Sequence, residues 1–255
     1  MRPIVKKQVG ETVYLHEDIF DMNTVAHAVE SDYPDYGKAR KVLLANLGNY
    51  CSYCEYYFEN GALLQTEHVQ PKKLQENGVL KYDNLKSKWT NFLLACATCN
   101  GKGNKGNKDV VLDNVHLPHR NNTYLSLCYK PAGVVTVNPN LTEPSRSHAQ
   151  ALIDLVGLDK GDSETDYRCT VRRHTWEKAQ RLRKLYEKGD FTLDALIAYI
   201  KECHCWSIWF TVFRGHDEVR KALIEEFPGT CATCFDSKNH YDPIPRNTGK
   251  NDDVV

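Results

Sequence analysis

Two Cys-x-x-Cys pairs, strand-length apolar segments between and beyond them, and a helical last third predict an α+β protein. The expected architecture is a cysteine-braced strand–strand–helix core, preceded by a helix and followed by an α-helical part.

Residues 1–48 read as an N-terminal arm and helix. Up to residue 35, acids and aromatics surround the breaker Pro34 without sustained periodicity. Tyr36 to Asn46 then begins a helical pattern in which Ala39, Val42, Leu43 and Leu47 share a face, with Gly48 as its stop signal. The core spans 49–110. Tyr50-Cys51-Ser52-Tyr53-Cys54 forms a tight paired-cysteine turn, 62–69 suits a short strand, 70–90 a polar loop, 92–95 a second strand, and about 98–107 a glycine-interrupted helix. A connecting α/β segment follows over 111–160. Its β-branched run at 134–137 predicts a strand, and Ser147 to Leu155 a helix closed by Gly157. Residues 161–235 are expected to be helical, over Thr175–Lys188, Thr192 to about Phe213, and His216–Phe227, ending at Pro228-Gly229. From 236 to 255 the chain is polar and aromatic-poor, which predicts a flexible tail.

Composition narrows the function. Hydrophobic residues at 41% and charged ones at 26% exclude wholesale disorder. Thirty-three basic against 33 acidic residues leave no net charge, so capture of a polyanion must be local or supplied by a partner. No signal peptide or membrane span is recognisable, which predicts a cytoplasmic protein. Ten cysteines are unusual in a reducing compartment unless some bind metal. No Walker A glycine-lysine motif is present, which excludes ATP hydrolysis by that route.

Cys51, Cys54, Cys96 and Cys99 supply four soft thiolates in two tight turns with 41 residues between the pairs, the pattern of tetrahedral structural Zn2+. Such a closed shell has no open position for water, so catalysis belongs elsewhere. Cys203, Cys205, Cys231 and Cys234 with His204 could suggest a second site, but Cys203 and Cys205 are too close to point inward together from one helix turn.

Phosphodiester hydrolysis needs a base, a divalent ion and cations for the phosphate. Between the cysteine pairs stand Glu67 and His68, and further on Asn91 and Asn100. His68 suits the base. Glu67 and Asn100 offer hard oxygens that suit catalytic Mg2+ or Mn2+. Lys102 and Lys105, set among glycines, are candidates for phosphate binding, with Lys108 weaker. Taken singly, a Glu-His pair is more often a surface ion pair and an Asn a turn former. Arg172, Arg173, Lys178, Arg181, Arg183 and Lys184 could track a nucleic-acid backbone, but Glu177 and Glu187 dilute them toward a solvated helix face.

In order and spacing, the two cysteine pairs, Glu67-His68, Asn91 and Asn100 resemble the HNH nucleases of the ββα-metal fold over about 60 residues. The resemblance implies a metal-dependent endonuclease in which His68 is the base, Glu67 and Asn100 hold the ion, and Asn91 positions a loop and orients His68. Asn100 departs from the family's final histidine, an accepted variant that favours magnesium-like ions. Beyond the core, Met1-Arg2-Pro3-Ile4, Tyr50-Cys51-Ser52-Tyr53-Cys54-Glu55, Glu67 to Lys72, Trp89 to Cys96, Asn122-Thr123, Phe227-Pro228-Gly229-Thr230 and Cys234-Phe235 resemble the PtuB family, the HNH nuclease subunits of Septu-type anti-phage systems. That likeness implies a PtuA-like ATPase partner of the SMC/ABC type and a nucleic-acid target, DNA favoured over RNA. A stand-alone restriction-type nuclease would keep the same site; a noncatalytic zinc-ribbon adaptor would use the cysteine turns only for binding. Trp206 to Phe213 is apolar on nearly all sides of a helix, so it is either buried centrally or covered by another chain; the resemblance favours a partner, which the 161–235 region is expected to bind.

Overall fold

Asp35, whose carboxylate accepts from the Gly37 amide, starts α1 (Tyr36–Leu47), and Gly48 at φ 76° ends it. The face bearing Ala39, Val42, Leu43 and Leu47 is buried, as the spacing predicts. The computed structural model describes residues 1–15, 24–246 and 255. The fold is mixed α+β, with the strands in two-stranded antiparallel pairs.

α1 packs on three strands. One is β1 (Thr12–Leu15), which pairs with β2 (Val25–Ala28). The others are β3 (Gln65–His68) and, after the small hairpin of β4 (Gln75–Glu76) and β5 (Val79–Leu80), β6 (Phe92–Ala95). β3 and β6 pair in register, Glu67 opposite Leu93 and His68 opposite Phe92. Every residue of β6 is buried, which anchors this pair in the core. The short helix α2 (Ala97–Asn100) follows directly. Next come α3 (Thr123–Ser126), the hairpin of β7 (Leu127–Tyr129) and β8 (Val135–Val137), and α4 (Ser145–Val156). Gly157 ends α4 in the left-handed region, at φ 59°, where a Cβ would also meet Asn104 Oδ1 at 2.3 Å.

The last third contains α5 (Arg168–Glu187), α6 (Leu193–Ile200), α7 (Trp206–Val212) and α8 (Asp217–Glu225) around a second apolar cluster. Among the described residues, no helix is long and apolar enough to cross a membrane.

The structure departs from the sequence reading in several places. The arm contains the β1–β2 hairpin; residues 16–23 between its strands lie outside the described ones. The helix expected over about 98–107 ends at Asn100 and gives way to turns, consistent with its glycines. The helix expected from Thr192 to Phe213 is two helices. Cys205 takes φ 63° while its amide donates to Glu55 O at 2.9 Å, so a tertiary bond overrides a continuous apolar run. Trp206, Trp209, Phe210 and Phe213 are covered within the chain, with Trp206 stacked on Phe210 at 4.7 Å; they present no apolar face to a partner. The first part of the expected flexible tail is also anchored: β9 (Phe235–Asp236) pairs with β10 (Asp242–Pro243), and Asn122 Nδ2 donates to Cys234 O and Ile244 O. Residues 247–254 lie outside the described ones.

Candidate functional site

The turn at 51–54 and the start of α2 bring Cys51, Cys54, Cys96 and Cys99 together. All four are buried, and their sulfurs lie within 4.8 Å of one another. A tetrahedron with Zn–S bonds of about 2.3 Å has edges of about 3.8 Å. The Cys54–Cys96 separation is 3.7 Å. The cluster could therefore hold zinc. Burial pushes the Cys54 thiol up, as crowded sulfurs cannot all ionise without a cation.

Around the sulfurs sit N–H donors. The Cys96 amide faces Cys51 Sγ at 3.4 Å, the Cys99 amide faces Cys96 Sγ at 3.5 Å, and Arg168 Nη1 reaches Cys99 Sγ at 3.4 Å. Arg168, from the first turn of α5, also donates to the carbonyls of Val156 and Gly157 and pairs with Asp166 at 2.7 Å. No second cluster of ligands forms among the described residues. His204 stacks on Tyr56 and accepts from the Tyr57 amide.

At the other end of β3, His68 is packed edge-on against Tyr36 and Phe92, each ring 5.0 Å away. Its Nε2 lies 2.9 Å from Lys86 O. Nε2 therefore carries the proton and donates, leaving the lone pair on Nδ1. Burial lowers its pKa to about 4, so the ring is neutral at neutral pH. Asn91 is buried beside this pair. Its Oδ1 accepts from Gln70 N at 2.8 Å, and its Nδ2 donates to Gln70 O at 2.9 Å and Leu85 O at 3.2 Å. It thus ties the segment after His68 to the residue before Lys86.

Glu67 is buried, with Oε1 2.6 Å from Lys105 Nζ. Burial pushes its pKa up to about 7 against the opposing pull of Lys105. The Lys105 ammonium also donates to His68 O at 2.7 Å and is itself buried. Its expected phosphate-binding role is therefore corrected: the ammonium is committed inside the protein, where it holds Glu67 and the β3 backbone. Lys108 is likewise committed, to Asp154 O and Leu155 O. Asn100, half-buried at the end of α2, donates from Nδ2 to Gln65 Oε1 at 3.0 Å.

Glu67, His68, Asn100, Lys102 and Lys105 line one cleft of about 370 Å³. Two lysines that the sequence reading did not assign, Lys72 and Lys73, line it too, and Lys72 Nζ sits 3.8 Å over the Tyr36 ring. Their place directly after Pro71 near the Glu-His pair was the available signal. Lys102 is exposed at the cleft. Asn91 lies behind, on a separate pocket. The basic stretch on α5 is only partly free: Arg172 is buried, donating to Gly133 O and Leu158 O, and Arg183 pairs with Glu187.

No protein-family model matches the chain, and no curated protein sequence matches it.

Proposed function

We propose that the chain is a metal-dependent nuclease of the HNH type, hydrolysing phosphodiester bonds in nucleic acid, DNA before RNA. The observation that carries this reading is the cleft in which a neutral histidine, an acidic residue, an amide and lysines converge. Each has a role in the reaction. His68 Nδ1 accepts the proton of the attacking water, while the bond from Nε2 to Lys86 O fixes the ring. Asn91 holds the two backbone segments that flank this arrangement. Lys72, Lys73 and Lys102 steady the phosphate.

Glu67 and Asn100 offer one carboxylate and one amide oxygen, a hard donor set that fits Mg2+ or Mn2+. With Glu67 Oε1 taken by Lys105, the second carboxylate oxygen would be the one left to hold an ion. A bound divalent ion supplies charge stabilisation at the phosphate and the leaving oxygen. Zinc at the four cysteines braces the turn before β3 and the helix after β6, outside the chemistry.

The same reading extends to an effector role in anti-phage defence beside a PtuA-like ATPase, on sequence resemblance alone. The test is cleavage of supercoiled plasmid and of a matched RNA with Mg2+ or Mn2+, by the chain alone and co-expressed with the product of the adjacent gene. His68→Ala is expected to lose at least about 100-fold in rate with zinc content unchanged. Equal cleavage by wild type and His68→Ala would remove the assigned site. Nucleic-acid binding without cleavage under any of these conditions would favour the zinc-ribbon adaptor.

A further inference from the structure

Behind the Asn91 segment lies a second pocket, of about 400 Å³, which Asn91 alone of the residues assigned to the proposed chemistry lines. Lys6, His119, Arg120 and Arg246 line it, and its described lining contains no carboxylate. Nearby acids are already engaged: Glu11 pairs with Lys7 at 3.4 Å and Asp113 with Arg120 at 2.8 Å. Neither Lys6 nor Arg246 has a carboxylate within ion-pair distance among the described residues.

Lys6 is buried, and its ammonium spends its donors on the carbonyls of Trp89, Thr90 and Phe92. Burial lowers its pKa to about 7, while the three carbonyl acceptors favour the ammonium, which when protonated supplies positive potential without a free N–H. Arg246 differs: its Nη1 donates to Ile4 O and Pro118 O, and the rest of its guanidinium edge has no partner among the described residues. His119 Nδ1 is buried with no hydrogen-bond partner among the described residues. A buried ring nitrogen left unpaired costs free energy until something fills the pocket beside it. Burial, then the fields of Lys6, Arg120 and Arg246, hold this imidazole well below its ordinary pKa.

We propose that this pocket is a phosphate-binding site distinct from the Glu67–His68 cleft. Arg246 and Arg120 present guanidinium N–H groups, the Nδ1–H tautomer of His119 donates to a phosphate oxygen, and Lys6 adds charge from behind. The volume exceeds a bare phosphate, leaving room for an attached sugar against Trp89. The phosphate belongs either to the backbone of a bound nucleic acid or to a free phosphate ester. Either ligand would rest against the segment 89–91 that carries Asn91.

The experiment is calorimetric titration with inorganic phosphate of the full zinc-loaded chain, its Arg246→Gln and His119→Asn variants, and Lys102→Gln in the cleft. Wild type is expected to bind, Arg246→Gln and His119→Asn to bind at this pocket at least about tenfold more weakly, and Lys102→Gln, which weakens the cleft alone, to keep the binding event that those two variants lose. Arg246→Lys, which keeps the charge, is expected to fall between, and unchanged zinc content and helical circular dichroism show that each variant is folded. Absence of binding by wild type, or equal affinity in Arg246→Gln and His119→Asn, overturns the site. Displacement of bound phosphate by a short DNA duplex from Lys102→Gln assigns the phosphate to a nucleic-acid backbone; displacement only by a nucleoside monophosphate assigns it to a free ester. This readout does not involve cleavage, so it stands or fails apart from the proposed nuclease activity.

Discussion

Asn91 and Asn100 are the same residue type in opposite circumstances, and their substitutions should separate stability from chemistry. Asn91 is buried and satisfies one amide and two carbonyls. Asn91→Ala strands these groups, so unfolding in urea should show a loss of about 2–4 kcal/mol. Asn100 is half-buried at the rim of the cleft and makes one bond, to Gln65. Asn100→Ala should change stability by no more than about 0.5 kcal/mol while losing metal-dependent cleavage, with partial rescue at higher Mn2+. A reversed pattern in the two denaturation curves would exchange their roles. The residue scale also shows where sequence reading succeeds. The four cysteines are legible because both members of each ligand pair sit within one local turn. Lys105 was misread because nothing near it in sequence reveals that its ammonium is buried against Glu67 across the fold.

At the scale of elements, the cysteine cluster depends on the start of α5 as well as on the two turns that carry the ligands. Four thiolates around one divalent ion leave two negative charges. The buried Arg168 guanidinium offsets part of this while binding the carbonyls at the end of α4. Arg168→Ala should cost about 3–5 kcal/mol, since Asp166 and the α4 carbonyls lose their partner. It should also speed zinc transfer to a colorimetric chelator by about tenfold or more. Arg168→Lys restores charge without the planar fork and should recover only part of both. Zinc release at the wild-type rate from Arg168→Ala would show that the contact to Cys99 contributes nothing to metal retention. The role of α5 was not legible, because a basic residue at a helix start reads as solvated until its buried partners are known. The β3–β6 pair and α1 were legible from apolar spacing, whereas the break before α7 was not, because the bond from Cys205 to Glu55 that creates it spans most of the chain.

Across the whole molecule, the question is whether the core with the cysteine cluster and the helical third unfold separately. The aromatic run Trp206–Phe213 required from sequence either a closed intramolecular core or a partner to cover it, and the structure covers it within the chain. The helices are instead joined to the cysteine turn through Glu55, buried one residue beyond Cys54 at φ 61°. Its carboxylate accepts from Ser207 N at 3.1 Å and Ser207 Oγ at 2.6 Å, and also from the Arg2 amide; its carbonyl accepts from Cys205 N. Tyr50 Oη donates to Lys201 O nearby. If the turn at 51–54 loses its metal, these bonds lose their frame and the α7 cluster should open with it. Chelation of zinc is therefore expected to collapse helical circular dichroism and tryptophan fluorescence in one transition, although Trp89 lies in the first apolar cluster and Trp206 and Trp209 in the second. Glu55→Ala, which strands buried donors on α7 without touching a zinc ligand, should uncouple the two, leaving a core that keeps zinc while the helices melt at lower temperature. Separate transitions in the wild-type chain, with the helices intact after zinc removal, would mean that the two clusters fold independently and that Glu55 only docks them.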